Sequence, residues 1–127
     1  AYVNAGHNPP LFIRNKEIKK LSTGGLILGM MKTMLPYQSE TIKIKKNDAL
    51  IMFTDGITEA MSKDEVEFSD EKVEELCLKN YTKPAKHQVN ILLKNIDEFT
   101  KGAEQSDDIT CLIIKIRWDD ETDGQRN

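Results

Sequence analysis

Cysteine is scarce in this chain: Cys77 and Cys111 are the only two among 127 residues. They lie far apart and show no CxxC spacing. That excludes a disulfide-stapled secreted scaffold and gives no thiolate metal site. A reducing, cytoplasmic setting is the simplest expectation. Aromatic residues make up only 6%, and no basic stripe with interleaved aromatics occurs, which argues against nucleic acid as a partner. No run approaches the roughly 18 apolar residues of a membrane span, so no membrane contact by this chain is expected. Internal repeats and low-complexity linkers are absent. So are a serine nucleophile elbow, a Walker loop and a dinucleotide fingerprint. Gly24-Gly25-Leu26-Ile27-Leu28-Gly29 is too spread out and too apolar to cradle phosphate. The chain opens on Ala1-Tyr2-Val3, with no initiator Met and no leader, and enters an apolar segment at once. It reads as a fragment whose upstream part has been removed.

What is present suits one domain or a large piece of one. Hydrophobic residues are 39%, charged residues 31%, and the net charge is −3. The charge is uneven. Residues 1–63 carry 9 basic and 5 acidic side chains, net +4, and residues 64–127 carry 9 and 16, net −7. The lysines at 19–20 and 43–46 read as solvated strand faces. Residues 119–127 read as an acidic, disordered tail, which leaves 1–118 as the folded part.

Strand patterns dominate the first half. Tyr2–Ala5 reads as a short strand that ends at the Asn8-Pro9-Pro10 turn. Leu11–Ile13 and Glu17–Leu21 flank Arg14-Asn15-Lys16 as a hairpin. Leu26–Met34 is apolar and ambiguous. Residues 39–46 alternate as a half-buried strand. Lys46-Asn47-Asp48 makes a turn, and Ala49–Phe53, apolar at every position, reads as a strand buried on both faces. Residues 57–68 read as a turn and a loop. Two helices follow. Ser69 is the expected cap of the first, with Asp70 and Glu71 in its first turn and Val73, Leu76 and Cys77 as its stripe. Pro84 suits the first turn of the second, whose stripe is Val89, Leu92, Leu93, Ile96 and Phe99. Gly102 closes it. Ile109–Ile116 is the last strand. The fold class is α+β, with helices packed on an antiparallel sheet.

Chemistry is expected where buried strands run into acids. Asp55 ends the strand 49–53, and Asp107 and Asp108 precede the strand 109–116. Antiparallel neighbours place the end of one strand beside the start of the other, so these acids can share one rim of the sheet. Carboxylates held close repel each other, and a hard cation with oxygen ligands removes that cost. Gly56 permits a tight turn that leaves Asp55 exposed. Taken singly, Asp-Gly is also a common turn, and an Asp-Asp pair is usually solvated. His7 either meets a phosphate oxygen or water, or is a loop histidine bonded to backbone. Glu59 either bridges to water near a metal or faces solvent.

Four segments in order carry a resemblance: Asn4-Ala5-Gly6-His7-Asn8-Pro9-Pro10, Leu28-Gly29, Phe53-Thr54-Asp55-Gly56-Ile57-Thr58-Glu59-Ala60 and Ser106-Asp107-Asp108-Ile109-Thr110. Together they resemble the C-terminal half of SpoIIE/RsbU-type metal-dependent protein phosphatases, the type 2C-like enzymes, over about residues 1–117. The resemblance implies part of an α-β-β-α sandwich, mostly antiparallel sheet with two helices. It implies hydrolysis of phosphoserine or phosphothreonine in a protein, typically a STAS-domain anti-anti-sigma factor in partner-switching signalling. Two Mn²⁺ or Mg²⁺ ions are implied, activating a water for in-line attack. By the same resemblance Asp55 and Asp107 are metal ligands, His7 and Asp108 are possible helpers, and Gly56 and Glu59 lie around the ligands. Gly6-His7 stands where the wider family commonly has Gly-Asp, and Phe68-Ser69 where Phe-Gly is common.

The resemblance also implies acidic ligands from an N-terminal half that these residues do not contain. The expected consequences are an incomplete, inactive site and exposed sheet edges that favour self-association. The parent could carry a membrane anchor upstream. The alternative is a pseudophosphatase or adaptor that binds a phosphoprotein without hydrolysing it.

Overall fold

The computed structural model of the chain describes residues 1–32, 35–103 and 108–118. The expected acidic tail, 119–127, lies outside the described residues. Four strands form one antiparallel sheet: β1 (Leu11–Arg14), β2 (Glu17–Lys20), β3 (Ala49–Phe53) and β4 (Cys111–Lys115), in the order β2-β1-β3-β4. The β1–β2 hairpin turns on Asn15 and Lys16, with φ of 50° and 66°. Positive φ at both central residues matches the natural twist of paired strands.

Helices α1 (Asp55–Thr58), α2 (Asp70–Asn80) and α3 (Ala85–Phe99) complete the fold. The core joins Leu11, Ile13, Ile51, Phe53 and Ile113 of the sheet to Ile57, Val73, Cys77, Leu92 and Ile96 of the helices. Leu92 and Ile96 are four residues apart, as one helical face requires. Burial pushes the thiols up, Cys77 to about 12 and Cys111 to about 11. Both therefore stay protonated, and Cys77 packs as a small hydrophobe. Among the described residues, no helix is long and apolar enough to cross a membrane.

Several sequence expectations change here. Ala49, Ile51 and Phe53 are buried, but Leu50 and Met52 are only partly so. Their cross-strand partners Ile114 and Leu112 are 39% and 50% exposed. The helices cover one face of the sheet, and the other retains an open apolar strip. Residues 39–46 form no strand; Glu40 makes a single bridge to Tyr2, and Ile44 is 41% exposed. Alternation prepares a strand, but a ladder also needs a partner. Tyr2–Ala5 is likewise reduced to isolated bridges at Tyr2 and Asn4. Leu26–Lys32 is neither helix nor strand.

The turn after β3 is a third helix, α1, too short at four residues for periodicity to reveal. Ser69 precedes α2 but makes no capping bond, because its φ is 73° and a cap normally needs extended backbone. The Ser69 side chain, followed by the Glu71 amide, instead holds the Glu71 carboxyl below its ordinary value. Pro84 stands just outside α3, and its carbonyl accepts the amides of His87 and Gln88.

Candidate functional site

The rim of interest is built by β3 and β4. Phe53 pairs with Cys111, so the end of β3 lies beside the start of β4. Thr54 then joins the two segments three times. Its amide donates to the Thr110 carbonyl at 3.1 Å. Its hydroxyl donates to the Asp108 carbonyl at 3.1 Å and accepts from the Thr110 amide at 3.1 Å. A hydroxyl can do both at once.

Asp55 is the next residue and the first of α1. The Asp55 carbonyl accepts the Glu59 amide at 2.8 Å and the Thr58 hydroxyl at 3.2 Å. Ile57, 0% exposed, anchors the same turn in the core. The backbone of Asp55 is thus held from both sides while the residue stays exposed. Gly56 is buried beneath it, and Glu59 is exposed. Asp108 is also exposed on the joined segment, while Asp107 lies outside the described residues.

His7 belongs to a separate turn organised by Asn4. The Asn4 side-chain oxygen accepts the amides of Gly6 and His7, at 3.0 and 2.9 Å. Its nitrogen donates to the carbonyls of His7 and Leu21, at 2.9 and 3.1 Å. Gly6 has a φ of +89°, and a Cβ there would meet Ile27 Cγ1 at 2.1 Å, so only glycine fits. A Cβ on Gly24 would sit 1.7 Å from the Asn4 carbonyl oxygen. His7 is exposed, with Nδ1 2.7 Å from the Asn8 carbonyl. The ring is thus bonded to backbone through Nδ1, which donates there because a carbonyl only accepts.

An exposed carboxylate on a fixed backbone suits a hard cation with oxygen ligands. The donor type therefore fits Mg²⁺ or Mn²⁺. Among the described residues no group of three or more His, Cys, Asp and Glu is gathered to hold a metal.

Sequence reasoning missed two residues. Thr54 was visible only as the position before Asp-Gly. Asp48 belongs by sequence to the Lys46-Asn47-Asp48 turn, yet it is 2% exposed and forms a two-point ion pair with Arg14, at 2.9 and 2.6 Å. The Lys45 amide adds a third bond at 2.7 Å. Burial alone pushes the Asp48 carboxyl up, but the bonds from Arg14 and Lys45 outweigh it and hold the pKa below its ordinary value. An Arg closing one strand beside an Asp opening its antiparallel neighbour was the available signal.

Residues 1–117 match the sequence model of Stage II sporulation protein E (SpoIIE). The chain belongs to the SpoIIE family. It is 30% identical to Protein IcfG of Synechocystis sp. over 116 residues, which is 90% of this chain and 18% of that protein. The SiaA PP2C domain of Pseudomonas aeruginosa superposes with a TM-score of 0.76 at 15% identity, covering 87% of this chain and 44% of that one. The PP2C phosphatase domain of SpoIIE from Bacillus subtilis, solved with a fragment of its regulatory domain, gives 0.72 at 22% identity, over 91% and 34%. This SpoIIE-family chain thus has the fold of part of a PP2C phosphatase domain, and it spans less than half the length of each of these relatives.

Proposed function

We propose that this chain is the C-terminal part of a metal-dependent phosphoprotein phosphatase domain. The substrate class is a protein carrying phosphoserine or phosphothreonine, and a phosphorylated STAS-domain anti-anti-sigma factor is the specific candidate. The observation that carries the reading is the rim where Thr54 joins the Asp55 turn to the segment holding Asp108. Family membership and the PP2C fold support the same chemistry. One of the related SpoIIE phosphatase-domain structures was presoaked with Mn.

Asp55 would hold the cation, with Asp107 as the second ligand carried over by resemblance. Bound Mn²⁺ or Mg²⁺ would supply positive charge and lower the pKa of water. Thr54 fixes where Asp55 stands, so the carboxylate needs little rearrangement to act. His7, exposed on the turn that Asn4 holds, is the candidate helper carried over by resemblance. The described residues provide too few anionic ligands for a stable two-ion site, because Mg²⁺ left mainly to water binds weakly. The isolated chain is accordingly expected to be inactive.

The test is Mn²⁺-dependent phosphate release from a phosphoserine protein. It compares this chain, the same chain extended upstream by about half a domain, and the extended form with Asp55→Asn. Turnover in the extended form that disappears with the substitution supports the phosphatase. Turnover by the 127 residues alone refutes the incomplete-site reading. A folded, Mn²⁺-loaded extended form without turnover moves the assignment to a phosphoprotein-binding adaptor.

A further inference from the structure

The opposite end of β3 holds a second feature, independent of the phosphatase reading. A cavity of about 90 Å³ is lined by Arg14, Asn15, Lys45, Lys46, Asn47, Asp48 and Tyr81. It is separated from the Asp55 rim by the length of β3, about 17 Å for five residues. We propose that this cavity is a binding site for a small tetrahedral oxyanion of the phosphate class.

Charge is the first support. Three cationic side chains line the cavity against one carboxylate, that of Asp48. That carboxylate is already committed: Oδ1 accepts from Arg14 Nε, and Oδ2 accepts from Arg14 Nη2 and the Lys45 amide. Arg14 Nη2 also donates to the Lys43 carbonyl at 2.7 Å. The Arg14 fork is thereby held rigid, with the Nη1 hydrogens outside these bonds. A preorganised guanidinium binds oxyanions well because it loses little freedom on doing so. Lys115 does not line the cavity, but its Nζ donates to the carbonyls of two residues that do, Asn47 and Tyr81, at 2.7 and 2.6 Å. Burial lowers its pKa, with Asp48 opposing, and while charged it adds to the positive field.

Size is the second support. About 90 Å³ corresponds to about three water molecules at roughly 30 Å³ each. That accommodates one tetrahedral oxyanion. Sites for drug-sized ligands need about 300–1,000 Å³, so a nucleotide does not fit. Glu17 pairs opposite Arg14 in the hairpin but does not line the cavity.

The test is a titration of the full chain with sodium phosphate at constant ionic strength, followed by amide resonances in ¹H–¹⁵N NMR. The expected result is saturable shifts confined to Asn15, residues 45–48 and Tyr81, absent with chloride alone. Lys45→Gln with Lys46→Gln removes two exposed cations and leaves the core intact; affinity falls at least tenfold. A phosphoserine peptide that competes with phosphate identifies a protein-borne phosphoryl group as the source, and failure to compete identifies the free ion. Shifts that never saturate, that spread over every lysine-bearing surface, or that persist in the double variant mean charge screening alone and overturn the proposal.

Discussion

Two aspartates bracket β3, and they live in opposite environments. Asp48 at its start is 2% exposed and bonded to Arg14 and Lys45. Asp55 at its end is exposed, on a backbone fixed by its neighbours. One carboxylate spends its lone pairs on holding the chain together. The other has its position held by groups that leave the carboxylate itself accessible. The same residue type is structural at one end and available for chemistry at the other, and what separates them is which atoms the surroundings occupy.

The contrast can be broken most severely at Asp55. In the extended, folded form, Asp55→Asn is expected to lower phosphate release at least 100-fold and leave stability within about 0.5 kcal/mol, read by turnover and by chemical denaturation. Asp48→Ala is expected to do the reverse. Only the Asp48 side of the pair is buried, with Arg14 30% exposed, so losing its charged hydrogen bonds costs about 1.5–3 kcal/mol, visible as a lower denaturation midpoint, with activity per folded molecule preserved. Thr54→Val tests the connection between rim segments. It deletes the bonds to Asp108 and Thr110, and about 1–2 kcal/mol of stability goes with them. Activity in the extended form falls as well, because two of the three ties that hold the Asp55 turn to the Asp108 segment are gone. If Thr54→Val costs stability but not activity, Thr54 is a structural tie only.

The smallest effect sharpens the Asp48 end through pH. Its folded pKa lies below the ordinary Asp value, so it contributes stability fully present above the unfolded pKa of about 3.9. That contribution is lost as pH falls through the lower folded value. Denaturation midpoints between pH 5 and 2 should therefore decline more in the native chain than in Asp48→Asn. Equal declines would assign acid sensitivity to other carboxylates, Glu40 first, since bonds from Lys19, Tyr2 and Thr23 hold it down to about 2.

The sequence disclosed whatever depends on neighbours along the chain. The hairpin at Asn15-Lys16, the stripe of Leu92 and Ile96, and the core strands are all local patterns. The placement of Asp55 at a strand end beside the segment of Asp108 was also legible, because two apolar runs ending and starting in acids have few antiparallel arrangements. Distant partners were not legible. Residues 39–46 alternate like a strand, yet find only the Tyr2 bridge. Ala49–Phe53 is apolar throughout, yet only one of its faces is buried beneath helices. Arg14 and Asp48 are 34 residues apart in sequence, and periodicity does not report such a pair. The role of Thr54 depends on groups still farther away.

The bonds that Thr54 makes to residues 108 and 110 span 54 and 56 positions of chain. Closing so long a loop costs entropy that local hairpins avoid. The β1–β2 hairpin can form as soon as its residues exist, but the rim around Asp55 must wait for β4 to arrive. During synthesis from the N-terminus, the candidate site is therefore a late product. Until residue 110 has been delivered, the bonds that tie Thr54 to the far segment cannot form, and the chemistry of the rim stays unassembled.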